Sequence, residues 1–386
     1  MCLFLIVTVQ ARAQQAVTEV LQQVAANNKA LQAAGRYREA RKLEHATGLN
    51  PQDPFVEYDY FNGQPAEAGN QREFAVTQRI DFPTAYGRKR RVSSLQKAQE
   101  DYRYALQRQD ILLEAQQTAL RLVYLNRQAS VLQSRYQDYE DLYRRFQKST
   151  RLGEGNVLDE NKARVRLLDI RTSLQANEAR RRGLAERLTE LNGGQPIVLP
   201  DTLFGAVPAV PDFETLDSLI EATDPRLKTL EQQVRVQEER VRLAKALALP
   251  KLEVGYRYQG ILGQTYQGVH AGVSIPLWER RNSVNTQQAY SQYAQAELEA
   301  ERLAHRQEVK QLYEEYRVLL ESLQGYRDVM ARPGNLRLLE KALRLGEITA
   351  AEYFMELSFF YDTYDKYLEL ESDVHQRAAE LLRYTL

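Results

Sequence analysis

The sequence predicts a mainly α-helical chain with a membrane-type β part, built as a duplicated helix–β-hairpin–long helix–helix repeat. Three observations predict it. In residues 250–277, Leu252, Val254, Tyr256 and Tyr258 alternate with Glu253, Gly255, Arg257 and Gln259. After a Gly-rich turn, Val269, Ala271, Val273, Ile275 and Leu277 alternate with His270, Gly272 and Ser274. A period of two over this length marks a strand pair, although all around it lie charged stretches of helical composition. The second observation is that the pattern recurs: Pro54 precedes Pro250 by 250 − 54 = 196 residues, and the same offset lays Val56, Tyr58 and Tyr60 on Leu252, Val254 and Tyr256, and Glu57 on Glu253. The third is a run from Val92 to about Lys148 without proline or glycine, a helix on the order of 80 Å long.

Composition narrows the function. Lys+Arg and Asp+Glu both number 52 in 386 residues, so no net charge draws in nucleic acid. One cysteine, Cys2, excludes an internal disulfide and a cysteine-rich metal site. No run of 18 apolar residues suits a transmembrane helix, but a β-barrel is compatible, because its signal is alternating and weak per segment.

Taken in order, residues 1–13 (MCLFLIVTVQARA) read as a truncated-looking secretory signal peptide, with Ala11-Arg12-Ala13 as the cleavage site. The first repeat spans 14–192. Its opening helix, from 16 to 47, breaks near Asn27-Asn28 and stops before Pro51. Hairpin 54–82 follows, turning at Asn62-Gly63-Gln64-Pro65 and returning through Phe74, Val76, Gln78, Ile80 and Phe82. The long helix carries two neighbouring apolar series, Ala98, Ala105, Leu112, Ala119 and Leu106, Leu113, Leu120. Two seams allow a partner on each side, whereas a simple antiparallel coiled coil needs one. The helix ends at Gly153, a left-handed position by its context; Asn156 is a candidate N-cap, and a helix returns from Val157 to Leu191. A Pro-rich linker occupies 193–215.

The second repeat, 216–386, comprises a helix from Leu216 to Leu249, hairpin 250–277, and a long helix from Val284 to Met330 along Ala289, Tyr293, Ala296, Ala300 and Leu303. An interruption at Arg332-Pro333-Gly334 and a turn at Leu345-Gly346-Glu347 precede the last helix. Gly346 follows Gly153 by 346 − 153 = 193 residues, close to the hairpin offset.

Candidate sites are sparse. His45, His270, His305 and His375 have no ligand spacing, and neither a phosphate loop nor a nucleophile motif is present, so the sequence reads as no enzyme, with no cofactor and no metal. The pairs Arg90-Arg91 and Arg280-Arg281 end the returning strands just before a long helix; beside apolar strands they read as snorkelling groups at a membrane edge rather than nucleic-acid contacts. Asp159, Glu160, Glu347 and Glu352 follow the two turns, where helix N-termini favour acids on dipole grounds alone.

The order and duplication of these motifs, together with VTQRIDFP and VSIPLW before the basic pairs and with RLGEGNVLDENKAR and RLGEITAAEYFMEL at the turns, resemble the TolC-type outer-membrane efflux protein family over essentially everything after residue 14. The resemblance implies a homotrimer whose chains each give four strands to one β-barrel and their helices to a periplasmic α-helical tunnel. It implies a passive exit duct in the bacterial outer membrane, opened by an inner-membrane pump (RND type or another transporter) and a periplasmic adaptor. It places adaptor docking and the gate at the periplasmic turns, hence at Gly153, Gly155, Asp159, Gly346, Glu347 and Glu352. Physical chemistry reaches part of this alone: four strands cannot close a barrel, and open edges in lipid leave unpaired backbone groups. On that barrel Val56, Tyr58, Tyr60, Leu252, Val254 and Tyr256 are expected to face outer-membrane lipid, and Glu57, Asp59, Glu253 and Arg257 the lumen. The alternative is a periplasmic structural coiled-coil protein with a small soluble sheet.

Overall fold

The computed structural model describes residues 2–278, 280–330 and 335–386. Two helices open it, α1 (Cys2–Asn27) and α2 (Lys29–Glu44), followed by strands β1 (Phe55–Phe61) and β2 (Gln71–Ile80). Then come α3 (Pro83–Arg151), α4 (Val157–Leu191), α5 (Phe213–Thr223) and α6 (Pro225–Leu247). Strands β3 (Leu252–Ile261) and β4 (Gln264–Val273) lead to α7 (Ser283–Met330), α8 (Asn335–Leu345) and α9 (Ala350–Leu381). No described helix is long and apolar enough to cross a membrane.

The four strands form one antiparallel sheet in the order β1-β2-β3-β4. The hairpins of the two repeats are therefore joined directly, through ladder pairs running from Gln71↔Ile261 to Ile80↔Leu252. β3 and β4 are longer than the alternation suggests, because a two-residue turn at Leu262 (φ 52°) and Gly263 (φ 81°) replaces the broad Gly-rich one expected. Positive φ at both central residues matches the right-handed twist of the flanking strands. At the other end β4 stops at Val273. Ser274 still exchanges hydrogen bonds with Lys251, its amide donating to the Lys251 carbonyl at 2.9 Å, but Pro276 has no N–H with which to continue the ladder.

Residues 1–33, 107–222 and 306–386 make one compact unit, and 34–106 with 223–305 the other. In the first, Val20 and Val24 of α1, Leu112, Ala119 and Val123 of α3, and Leu188 and Leu191 of α4 form one core. The linker is irregular as expected, but Ile197, Leu199 and Phe204 are buried in that core. Asn126 pins it by donating to the carbonyls of Leu199 (2.8 Å) and Asp201 (3.1 Å). A second core joins Leu216 and Ile220 of α5 to Leu323 of α7 and Leu368 and Val374 of α9. The second unit holds the sheet, where α6 meets the start of α3 through Gln232, whose amide donates to the Leu95 carbonyl at 2.8 Å, and through Arg88–Glu239 at 3.0 Å.

Two helix expectations need correction. α3 starts at Pro83, not near Val92, so Arg90 and Arg91 lie inside its first turns rather than in front of it. Proline is preorganised for the first helical position, and the helix runs on through Gly87, where glycine costs only about 1 kcal/mol relative to alanine. The helix expected from Leu216 to Leu249 is two helices. Asp224 ends α5 and caps α6, its carboxylate accepting from the Arg226 amide at 2.8 Å, with Pro225 next. Asp-Pro is a helix start signal that outweighed the apolar periodicity running through it. The Arg332-Pro333-Gly334 interruption lies outside the described residues.

Candidate functional site: the sheet faces and the helix turns

Register decides which side chains share a face of the sheet. Val56 pairs with Val76, Val76 with Tyr256 and Tyr256 with Val269; Tyr58 pairs with Phe74, Phe74 with Tyr258. Ile80, Leu252 and Val273 form the row nearest the helices. The six residues Val56, Tyr58, Tyr60, Leu252, Val254 and Tyr256 thus fall on one face, which is apolar apart from Gln78, Gln267 and, at the loop end, Thr265 and Arg72, the latter lying over the Tyr60 ring. No described residue covers this face: Val269 is 93% and Val273 65% exposed.

The opposite face collects the charges. Arg79 and Glu253 are directly paired across β2 and β3 and meet at 2.7 Å, and His270 approaches the same carboxylate at 3.3 Å. Glu57, Asp59 and Arg257 share this side, Asp59 standing opposite Glu73. Phe55 and Phe61, at the two ends of β1, also fall here against the pattern. A sheet with one uncovered apolar face and one charged face is suited to lie between lipid and water. Among the described residues the outer edges of β1 and β4 pair with no strand.

The helix turns repeat one another in hydrogen-bond detail. Gly153 (φ 78°) and Gly346 (φ 72°) are both left-handed. After the first, the Glu154 amide donates to the Ser149 carbonyl at 3.1 Å; after the second, the Glu347 amide donates to the Ala342 carbonyl at 3.0 Å. Both are Schellman closures, which tie off the last carbonyls of a helix. A Cβ at Gly153 or Gly346 would meet nothing within 4 Å, whereas one at Gly155 would stand 2.6 Å from the Thr150 nitrogen. Gly155 is therefore fixed by close approach, the other two by backbone angle.

Two of the acids at these turns, Asp159 and Glu352, have local partners. Asn156 caps α4, its side chain accepting from the Leu158 amide at 3.0 Å; Asp159 in that first turn faces Lys162 at 3.7 Å. Thr349 and Glu352 form a reciprocal capping box, and the hydrogen bonds from the Thr349 amide and hydroxyl hold the Glu352 carboxyl below its ordinary range. Glu347 is exposed in the turn itself. Arg90, Arg91 and Arg281 are exposed, and Arg280 is half-buried with its carbonyl accepting from the Ser283 amide.

Sequence reasoning missed a clamp between α3 and α9. Arg135, 7% exposed at its side chain, holds Asp365 with both guanidinium nitrogens (2.7 and 2.6 Å) and lies 4.3 Å from the centre of the Tyr361 ring. The Tyr361 hydroxyl in turn donates to Asp138 at 3.2 Å. Partners more than 220 residues apart leave no local signal, whereas the Thr-x-x-Glu of the capping box was readable at Thr349. Each histidine has a local setting: His45 contacts Glu100, His270 Glu253 and His305 Asp224, while His375 stacks on Phe204. No group of three or more His, Cys, Asp or Glu among the described residues is placed to hold a metal ion.

No family model matches the chain, and no curated protein does. Solved structures do match, over nearly its whole length. CusC, whose crystal structures concern folding and transmembrane channel formation, superposes with a TM-score of 0.80 at 12% identity, over 96% of this chain and 92% of that one. The chain has the fold of an outer-membrane channel. The CmeC outer membrane channel of Campylobacter jejuni shares this fold with a TM-score of 0.71 at 14% identity, covering 96% of this chain and 85% of its own. The open state of the Neisseria gonorrhoeae MtrE outer membrane channel gives 0.69 at 14% identity, over 95% and 88%. The channel fold thus accounts for both hairpins and both helix turns within one architecture.

Proposed function

We propose that the protein is the passive exit duct of a tripartite efflux or export system, set in the bacterial outer membrane and extending into the periplasm. The observation that carries this is the sheet: four strands, one uncovered apolar face, one charged face and two free edges. In lipid each unpaired backbone group would cost several kcal/mol, so β4 of one copy must find β1 of another. The helices leading away from the two edges support that pairing. α2, preceding β1, exposes Tyr37, Ala40 and Leu43, and α7, following β4, exposes Ala289, Tyr293, Ala296, Ala300 and Leu303. Joining unlike flanks makes a heterologous interface, which closes into a ring; by family resemblance the ring has three members.

The charged face then lines the lumen and Val56, Tyr58, Tyr60, Leu252, Val254 and Tyr256 face lipid. The turns around Gly153, Gly155 and Gly346, with Asp159, Glu347 and Glu352, form the periplasmic end where a periplasmic adaptor docks and the gate lies. An inner-membrane pump supplies the energy, since the duct performs no chemistry. The structures that share the fold include the CmeC and MtrE outer membrane channels, which supports the outer-membrane setting. Mass measurement on detergent-extracted protein tests it. A stable trimer with no folded monomer is expected; a water-soluble protein that needs no detergent would instead identify a periplasmic coiled-coil protein and overturn the membrane reading.

A further inference from the structure

The two repeats carry the same motif where the sheet meets the helices, and they finish it differently. In the first, Phe82-Pro83 runs straight into α3 and the chain satisfies itself. The Asp81 amide donates to the Tyr86 hydroxyl at 2.9 Å, while Lys89 reaches the Asp81 carboxylate at 2.9 Å and lies over the Tyr86 ring. In the second, Ile275-Pro276-Leu277-Trp278 leaves β4 without regular structure, and Ile275, Leu277 and Trp278 are 78%, 68% and 76% exposed. The described residues leave most of this apolar surface in contact with solvent.

We propose that Ile275, Leu277 and Trp278 form an anchor that inserts into the headgroup boundary of a phospholipid leaflet at the periplasmic edge of the barrel. This rests on the membrane reading above. Three features select lipid as the occupant. The Ser274–Lys251 hydrogen bonds carry the pairing one step past β4, so Ile275 prolongs the row of Leu252 and Val273 on the apolar face. Tryptophan combines a large apolar ring with one N–H donor, the combination that settles at a membrane–water interface. Exposed Arg281 follows at once, its amide donating to the Trp278 carbonyl at 3.1 Å, in place to meet lipid phosphates.

Trp278 is the chain's single tryptophan, so its emission reports on this segment alone. The protein is reconstituted into phosphatidylcholine–phosphatidylglycerol vesicles whose acyl chains are brominated either near the glycerol or near the methyl end. Trp278 emission is expected to shift to the blue relative to an exposed indole and to be quenched more by the shallow bromines than by the deep ones. Blue-shifted emission that neither lipid quenches, in vesicles that float with the oligomer, would show a neighbouring copy covering the segment and overturn the anchor alone. Emission typical of water in the same vesicles would overturn it equally. Failure of the protein to float with vesicles at all would overturn the membrane reading, and the anchor with it.

Discussion

At the scale of single residues, the three turn glycines answer to different constraints, and substitutions separate them. Gly155→Ala forces a methyl into the last turn of α3, against backbone that cannot yield. Gly153→Ala meets only empty space and pays the left-handed backbone term, about 1 kcal/mol. We expect Gly155→Ala to expose the turn to limited proteolysis far more than Gly153→Ala does; equal cleavage would remove the steric argument. His375 supplies a second test. Burial, with Arg327 adding to it, pushes its pKa down to about 4 from the ordinary 6.5. The unfolded chain therefore takes up this proton first, so the His375 contribution to stability is intact above about pH 6.5 and is lost as pH falls towards 4, by on the order of 3 kcal/mol. His375→Phe keeps a ring against Phe204 and should flatten the fall in melting temperature between about pH 7 and about pH 4.5; an unchanged slope would place the acid sensitivity elsewhere. Left-handed Gly153 and Gly346 were legible from sequence because glycine after a helical run has few other uses. The Arg135–Asp365 clamp was not, since nothing in either helix names a partner in the other.

At the scale of elements, α4 was readable to both ends, because Asn156 caps it and Gly193 with Gly194 follows it. Periodicity failed where a start signal sat inside a continuous pattern, as at Asp224-Pro225, and where the long helix was begun after Arg90-Arg91 although proline can open a helix, as Pro83 does. The strands were readable in phase but not in length, since alternation fades near turns while hydrogen bonding continues: Gln71 and Gln264 each pair with Ile261 without looking apolar. Phase is what the faces depend on. Val254→Arg places a charge on the apolar face and should lower the amount of heat-resistant oligomer in outer-membrane fractions by the equivalent of about 2–4 kcal/mol at mid-membrane depth. Glu253→Arg stays on the charged face, where it removes a solvent-screened pair to Arg79, and should cost far less. Equal losses, or the reverse order, would reverse the faces.

At the scale of the whole molecule, turns and barrel are expected to fail independently. Gly153→Leu with Gly346→Leu costs about 1–2 kcal/mol of backbone strain per site, and the new Cβ atoms meet nothing within 4 Å, so trimer abundance should stay normal. Cargo resistance and adaptor cross-linking should fall in the same cells, more in the double variant than in either single one; unchanged resistance and cross-linking would reduce these turns to connectors. The duplication itself was legible because two offsets, 196 and 193, nearly agree, whereas the order of strands was not, since alternation is silent about neighbours. That order has a historical consequence. The seam between the repeats, β2 with β3, pairs ten residues, as many as the β3–β4 hairpin and more than the seven of β1–β2. A join made by covalent duplication is thus no weaker than one made by a turn. An ancestor half as long, with one hairpin per chain, would need no new kind of contact to assemble: six copies of two strands would supply the same twelve that three copies of this four-stranded chain supply in the proposed trimer. A fusion of two such halves would change which seams are covalent and leave each half free to diverge, as the endings at Phe82-Pro83 and Ile275-Pro276 differ.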